Sequence, residues 1–307
     1  MKIVGVDFGG TTFTVGLVDV ENGEVLKEEQ HETKAWEGFE NITYRVAKVI
    51  NSIKEDAKAV GIGSPGSILD GVVKFSPNLP DWMDVPLADR IKDLTNLPTF
   101  VENDANAFVL GEKWFGAGKG YDHIVALTLG TGVGGGVITH GLLLKGYLGI
   151  GAELGHVIVE PNGPKCGCGN YGCLEAIASA TAIVRMAKEM RKDFSNSEIF
   201  KSDKISAKTI MDAARNGDKL GIIIRDKMVD ALGRAIAGFA HIFNPQIVII
   251  GGGVSKAGDV ILKPLREKVE GYLMPSFIGT FKVVISPLLD KAGVLGAASV
   301  ALENVGR

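Results

Sequence analysis

The chain has 307 residues, of which 46% are hydrophobic and 22% charged, a composition that supports a sizeable buried core and excludes disorder along its length. Lys and Arg number 33 against 36 Asp and Glu, a net charge of -3, so the basic footprint of a nucleic-acid binder is missing and a neutral or mildly anionic partner fits. At about 150 residues per domain this length predicts two domains.

Met1 to Asp7 runs straight into a short apolar segment that holds an acid. It has none of the basic start, long apolar stretch and small-residue cleavage site of a secretory leader, so a cytoplasmic protein is expected. Residues 2–8, 13–19 and 24–30 read as strands, separated by Gly9-Gly10-Thr11-Thr12 and by the turn Glu21-Asn22-Gly23. Phe39, Ile42, Val46, Val49, Ile50 and Ile53 keep the spacing of one helical face over 39–53. A short buried strand at 59–63, a loop from Ser64 to Pro86, a helix at 87–95 and a strand at 98–102 follow. The next helix should start near Asp104 and end before Gly116.

The opening pattern then returns. His123–Leu129, Gly136–Thr139 and Leu142–Leu144 are strand-like, with Gly130-Thr131-Gly132 at the first bend and His140-Gly141 at the second. The stretch from Ile124 to Leu144 has no acid, Lys or Arg, but Gly130, Gly132, Gly134, Gly135 and Gly136 disfavour a spanning helix, so no membrane partner is expected. We read an internal duplication and two domains, each opening with a strand, a small-residue turn and a second strand. Helices are expected at 174–191 and 206–243 around a polar break at Asp193 to Lys204, then a strand at Gln246–Ile250 running into Gly251-Gly252-Gly253. Helix, strand and a last helix at about 290–304 close the chain. This order means α/β layers.

Asp7-x-Gly9-Gly10-Thr11 sits at a strand end, where a turn without bulky side chains lets backbone N–H groups and a hydroxyl approach a phosphate, with Asp7 facing a metal-nucleotide. An ordinary hairpin turn is the bland alternative. Recurrence at Gly130-Thr131-Gly132 favours a polyphosphate clamp formed by two such turns. Gly130-x-Gly132-x-x-Gly135 matches the dinucleotide fingerprint by letter only, because strand rather than helix follows it. A Walker-type loop is absent.

All 3 cysteines lie within Cys166-Gly167-Cys168-Gly169-Asn170-Tyr171-Gly172-Cys173. Thiolates at this spacing suit a tetrahedral Zn²⁺ site, with His156 as the fourth ligand and no open position for catalysis; a disulfide plus a spare thiol, or inert buried cysteines, are the alternatives. Glu102-Asn103-Asp104-Ala105-Asn106 joins a strand to a helix. One of its residues can serve simply as an N-cap, while a carboxylate there can accept a hydroxyl proton when an alcohol attacks a phosphoryl group. Glu153-x-x-His156 and Glu175 add carboxylates suited to a polyhydroxylated ligand, with solvated surface acids as the alternative. His31, His123, His140 and His241 show no partner pattern, and Trp36, Trp82 and Trp114 read as core or rim aromatics, with the edge of a ligand pocket as the alternative for Trp82.

Together these motifs resemble, in order and over nearly the whole chain, the ROK family of sugar kinases and sugar-responsive repressors. The resemblance implies the actin-like (ribonuclease H-like) two-domain ATPase fold with a duplicated βββα core, hinged around an ATP and sugar cleft. It implies phosphate contacts at Gly9, Gly10, Thr11, Thr12, Gly130, Thr131 and Gly132, with Asp7 beside them, and an adenosine contact at Gly251, Gly252 and Gly253. Asp104 would be the base. Gly66, Asn78, Asn103, Asp104, Glu153, His156 and Glu175 would hold the sugar, and His156, Cys166, Cys168 and Cys173 a structural zinc. The implied reaction is Mg²⁺-assisted transfer of the ATP γ-phosphoryl to the 6-hydroxyl of a hexose, glucose first. N-acetylglucosamine, N-acetylmannosamine, mannose or fructose are alternative acceptors. Thr12, where many members have Lys or Asn, and Asp81 in Leu79-Pro80-Asp81-Trp82, where many have Gly, depart from the pattern; the second leaves the hexose open. The family's repressors carry an added N-terminal winged-helix region, whereas the phosphate turn here begins at residue 9, so an enzyme is expected. The expected domains are 1–115, completed by the C-terminal helix at about 290–307, and 116–289 with the cysteine loop. A homodimer or higher homo-oligomer is expected of such a fold.

Overall fold

Side chains alternate faces along a strand, and the first strand shows what that alternation organises. Val4, Val6 and Phe8 enter one hydrophobic core, whereas Ile3 enters another and Gly5 and Asp7 lie under the C-terminal helix. The computed structural model describes residues 1–76, 79 and 81–305. In chain order the elements are β1 (Lys2–Phe8), β2 (Thr12–Asp19), β3 (Glu24–Glu32), α1 (Phe39–Ile53), β4 (Val60–Ser64), β5 (Ser67–Leu69), β6 (Val72–Phe75), β7 (Met83–Val85), α2 (Leu87–Thr95), β8 (Thr99–Asn103) and α3 (Asp104–Phe115). They continue with β9 (Ile124–Leu129), β10 (Val133–Thr139), β11 (Leu142–Leu143), α4 (Glu175–Ala178), α5 (Ala180–Glu189), α6 (Ala207–Arg215), α7 (Lys219–Phe243), β12 (Ile247–Gly251), α8 (Asp259–Tyr272), β13 (Lys282–Ile285) and α9 (Ala292–Val305).

Two units result: Met1–Gly120, Leu143–Ala152 and Leu288–Arg307 form the first, Tyr121–Leu142 and Glu153–Pro287 the second. Leu143–Ala152, expected in the second domain, therefore belongs to the first unit. Each unit is built on a sheet of the same design. The order β3-β2-β1-β4-β8 in the first is matched by β11-β10-β9-β12-β13 in the second. In both, an antiparallel meander supplies three strands and two parallel strands extend it.

In the first unit, α1 buries Ile42, Val46, Val49, Ile50 and Ile53 against one sheet face, at roughly 1.5–3 kcal/mol for each side chain removed from water. The other face takes α9, rich in small residues for a steric reason. A Cβ on Gly61 would stand 1.9 Å from the Ala297 carbonyl oxygen, and one on Gly111 of α3 would stand 2.9 Å from Gly296 Cα. Helix backbone lies directly on sheet and on helix. In the second unit, α7 is the central helix, packed by α5, α6 and α8 and started by Asp218, whose carboxylate accepts the Gly221 N–H.

Several expected boundaries change. The segment 64–86, read as loop, contains the three-stranded sheet β5-β6-β7 among its described residues; strands this short fall below the length at which alternation can be recognised. Asn78 lies outside the described residues. The single helix expected over 206–243 is two, because Gly217 takes a left-handed φ of 86° and Asp218 caps a new start. Likewise 174–191 breaks at Ser179, whose hydroxyl caps α5 by accepting the Ala182 N–H. Strand β10 begins at Val133 rather than Gly136, its glycines paired in register with β9, and at Gly135 a side chain would collide with Leu154. Among the described residues, no helix is long and apolar enough to cross a membrane.

Candidate active site

Strand β1 turns at Gly9 to Thr12 into β2, closed by the Gly9 N–H donating to the Thr12 carbonyl at 3.0 Å. From beneath, the fully buried Thr33 secures the turn: its hydroxyl donates to the Gly9 carbonyl at 2.6 Å and its N–H to the Thr11 carbonyl at 2.8 Å. Thr11 itself is exposed at the tip. Asp7 precedes the turn, and burial, with the negative Glu28 adding a smaller push, raises its carboxyl above the ordinary range. No cation pairs with it among the described residues. A carboxylate left in that state fits a divalent cation such as Mg²⁺, which would relieve the penalty.

Parallel pairing puts Asp7 opposite Gly63 and Gly63 opposite Glu102, so the carboxyl ends of β1, β4 and β8 lie in one row. Open sheets commonly bind ligands outside such ends. Asn103 ends β8 and caps α3, its Oδ1 accepting the Ala105 and Asn106 N–H groups at 2.9 and 3.3 Å while its Nδ2 donates to the Gly66 carbonyl at 3.0 Å. Asp104 opens the helix, where the dipole favours a carboxylate, and its Oδ1 accepts the Ala105 N–H at 2.9 Å. Gly66 is required by space: at φ 100°, a Cβ would stand 2.1 Å from the Phe75 carbonyl oxygen. The first unit thus gathers Asp7, Gly9–Thr12, Gly66, Asn103 and Asp104 on one sheet and its adjoining turns.

In the second unit the corresponding turn, Gly130 to Gly132, is closed by the Gly130 N–H on the Gly132 carbonyl at 3.0 Å. The start of α5 reinforces it, the Ala180 N–H donating to the Gly130 carbonyl and the Thr181 hydroxyl to the Thr131 carbonyl, each at 2.8 Å. Gly251 pairs with Thr128, and Gly252 lies so close to Leu129 that a Cβ would come within 2.6 Å of its backbone nitrogen. The expected adenosine contact therefore adjoins the expected phosphate turn. Glu175 also reaches the turn, accepting the Val133 N–H at 3.1 Å. Glu153 is exposed and begins the short 3-10 turn that carries His156.

His156, Cys166, Cys168 and Cys173 converge, their ligand atoms all within 4.8 Å of one another. The Cys168 and Cys173 sulfurs are 3.7 Å apart and Cys166 Sγ is 3.6 Å from His156 Nδ1, separations that match the edges of a tetrahedron with Zn–S bonds of about 2.3 Å and exceed a disulfide bond. All three thiols are free. The loop wraps tightly at Gly172, where a Cβ would stand 1.6 Å from the Glu160 carbonyl oxygen. Burial pushes the Cys166 thiol up to about 12 and raises Cys173, while a backbone hydrogen bond from Asn170 lowers Cys168. This donor set fits a soft divalent cation whose charge would drive off the thiol protons.

Sequence reasoning missed Thr33 and Thr181, the two hydroxyls that fasten the turns, because no spacing rule links them to residues 24 and 50 positions away. Trp82 is a core residue, 2% exposed and stacked on Phe8 at 5.2 Å, whereas Trp36 is 79% exposed.

The fold and these sites have relatives. The chain is 59% identical to a glucokinase of Thermotoga maritima over 100% of its own length and 99% of that protein's, and 38% identical to a glucokinase of Halalkalibacterium halodurans over 95% and 92%. A crystal structure of a ROK family glucokinase from Streptomyces griseus in complex with glucose and AMPPNP superposes with a TM-score of 0.86 at 37% identity, covering 99% of this chain and 100% of that one. The two five-stranded sheets are those of the actin-like ATPase fold. A profile described as the ROK family matches residues 3–304, and the chain belongs to that family.

Proposed function

We propose that this protein is an ATP-dependent hexose kinase that phosphorylates the 6-hydroxyl of glucose, with Asp104 as the general base. The observation that carries this reading is the joint at the end of β8. The Asn103 side chain makes three hydrogen bonds, and the residue delivers Asp104 to the first turn of α3, at the carboxyl ends of the parallel strands. The likeness to glucokinases supports the choice of acceptor.

In this reading the hexose is oriented by Gly66, Asn103, Asp104, Glu153, His156 and Glu175, with Asn78 as a further contact. The turns Gly9–Thr12 and Gly130–Gly132 hold the phosphates through backbone N–H groups, and Gly251–Gly253 receives the adenosine. Asp104 accepts the 6-hydroxyl proton as the oxygen attacks the γ-phosphorus and the bond to the β-phosphate oxygen breaks, releasing ADP. Mg²⁺, when bound beside Asp7, supplies neutralisation of the phosphate charge. Orientation of a bound hydroxyl contributes on the order of 7–11 kcal/mol to lowering the barrier. Zn²⁺ on His156, Cys166, Cys168 and Cys173 fixes the loop that bears His156 and Glu175 and takes no part in the chemistry. We further propose a cytoplasmic homodimer or higher homo-oligomer acting at the entry of glucose into glycolysis.

A coupled ADP-release assay over glucose, mannose, fructose, N-acetylglucosamine and N-acetylmannosamine tests the reading. Glucose should show the highest kcat/KM, and another preferred sugar would replace it as substrate. Asp104→Asn should lower kcat by about 10²–10⁴-fold with glucose binding retained; unchanged turnover removes Asp104 as the base.

A further inference from the structure

The loop 143–152 leaves the second unit and packs within the first. Its neck is closed by the Gly151 N–H donating to the Lys145 carbonyl at 2.9 Å, and Gly149 lies against Ile68, where a Cβ would stand 2.5 Å from the carbonyl oxygen. From that neck the Lys145 ammonium reaches Glu102 Oε2 at 2.5 Å. The Glu102 side chain is only 4% exposed, and Lys145 is its one ion-pair partner among the described residues.

Glu102 uses its other oxygen on the catalytic joint, Oε1 accepting the Asn103 N–H at 3.0 Å and Asn106 Nδ2 at 3.1 Å. Asn106 Oδ1 is buried without a partner. Turning that amide over would aim an oxygen at the carboxylate, so a negative Glu102 holds Asn106 in an orientation that leaves Oδ1 without a partner. Leaving such a carboxylate buried without a counter-charge is strongly unfavourable. It would be relieved by moving Glu102 outward, and that change disturbs the residues flanking Asp104.

We propose that Lys145 is a positioning residue for phosphoryl transfer: it keeps the buried Glu102 carboxylate in place, and Glu102 holds Asn103 and Asn106 so that Asp104 meets the sugar hydroxyl. This rests on the reading of Asp104 as the base.

The test uses the full chain, with steady-state kinetics on glucose and ATP and a thermal melt for each variant. Lys145→Met should lower kcat by about tenfold to a hundredfold, with the KM for ATP unchanged, as small misplacements of a reacting group do. Lys145→Arg should retain activity. The decisive variant is Lys145→Met combined with Glu102→Gln: the amide oxygen still accepts both hydrogen bonds but carries no charge, so kcat should recover to within about threefold of the parent. Parental kcat in Lys145→Met overturns the proposal. So does a double variant that melts like the parent and stays as slow as Lys145→Met. If Lys145→Met does not fold, the folded double variant carries the test alone, and a low kcat in it overturns the proposal. Asp104→Asn in the same assay separates the two readings: an inactive Asp104→Asn beside a normal Lys145→Met sinks only the role of Lys145, whereas an active Asp104→Asn sinks both.

Discussion

Glu175 Oε2 accepts the backbone N–H of Val133 at 3.1 Å. Its other oxygen lies 3.6 Å from Cys166 Sγ. One carboxylate thus joins the Gly130–Gly132 turn to the cysteine cluster, and a Cβ on Gly132 would stand 2.4 Å from it. Glu175→Ala should leave the Val133 N–H without its partner and destabilise the fold by about 1–3 kcal/mol in urea unfolding. It should also weaken binding of a non-hydrolysable ATP analogue measured by calorimetry. Unchanged nucleotide affinity would detach the turn from this carboxylate.

The cluster should hold one zinc per chain by elemental analysis, since four ligands leave no open position. Burial holds the Cys166 thiol protonated, near 12, when no cation is present, so metal uptake must release protons and affinity must fall as pH drops. Chelator treatment is expected to lower the Tm and to leave three free thiols, the exposed Cys168 titrating with reagent in the folded protein and the buried Cys166 and Cys173 only after unfolding. A metal-free protein with parental Tm would refute the assignment.

Asp7 sets up a conflict between stability and function. Its folded pKa is raised by burial, so between the unfolded value and that raised value the native state binds more protons. Stability therefore falls as pH rises through this window and stays lower above it. Asp7→Asn should raise the Tm at pH 7, with the gain vanishing below about pH 4, the ordinary carboxylate range. The same change should increase the Mg²⁺ concentration needed for half-maximal turnover. A lower Tm at pH 7 would show that the carboxylate is stabilised by something other than a bound cation.

Gly61→Ala should be among the most damaging conservative changes in the chain. Its methyl group would overlap the Ala297 carbonyl oxygen, at 1.9 Å, and force α9 off the sheet. Overpacking of this kind costs about 1–3 kcal/mol or more, measurable as a shift of the urea midpoint at constant slope. A midpoint equal to that of the parent would mean that α9 can move aside freely.

Features carried by neighbours in the chain were legible. The helix 39–53, with its apolar residues on one face, begins and ends where its spacing says, and the meander with its Gly-rich turn recurs as two sheets of one strand order. The convergence of His156, Cys166, Cys168 and Cys173 was readable because a tight loop needs only short spacing. Where reading failed, the deciding information was spread differently. The strands of β5-β6-β7 are three or four residues long, and the helix interruptions at Ser179 and Gly217 depend on caps that an apolar period does not register.

From its residues alone this protein is an α/β chain with twin small-residue turns, an acid at the start of a helix and a cluster of Cys and His side chains suited to a soft metal. Those are local properties, set by backbone permissiveness, capping chemistry and ligand type. Tertiary structure decided which distant groups finance none of their own burial and must be matched: Thr33 beneath Gly9, Glu175 beside Val133, Lys145 against Glu102, and α9 lying on Gly61. Such pairings arise because a buried charge, carbonyl or N–H needs a partner wherever the fold brings one, and no period along the chain encodes where that is.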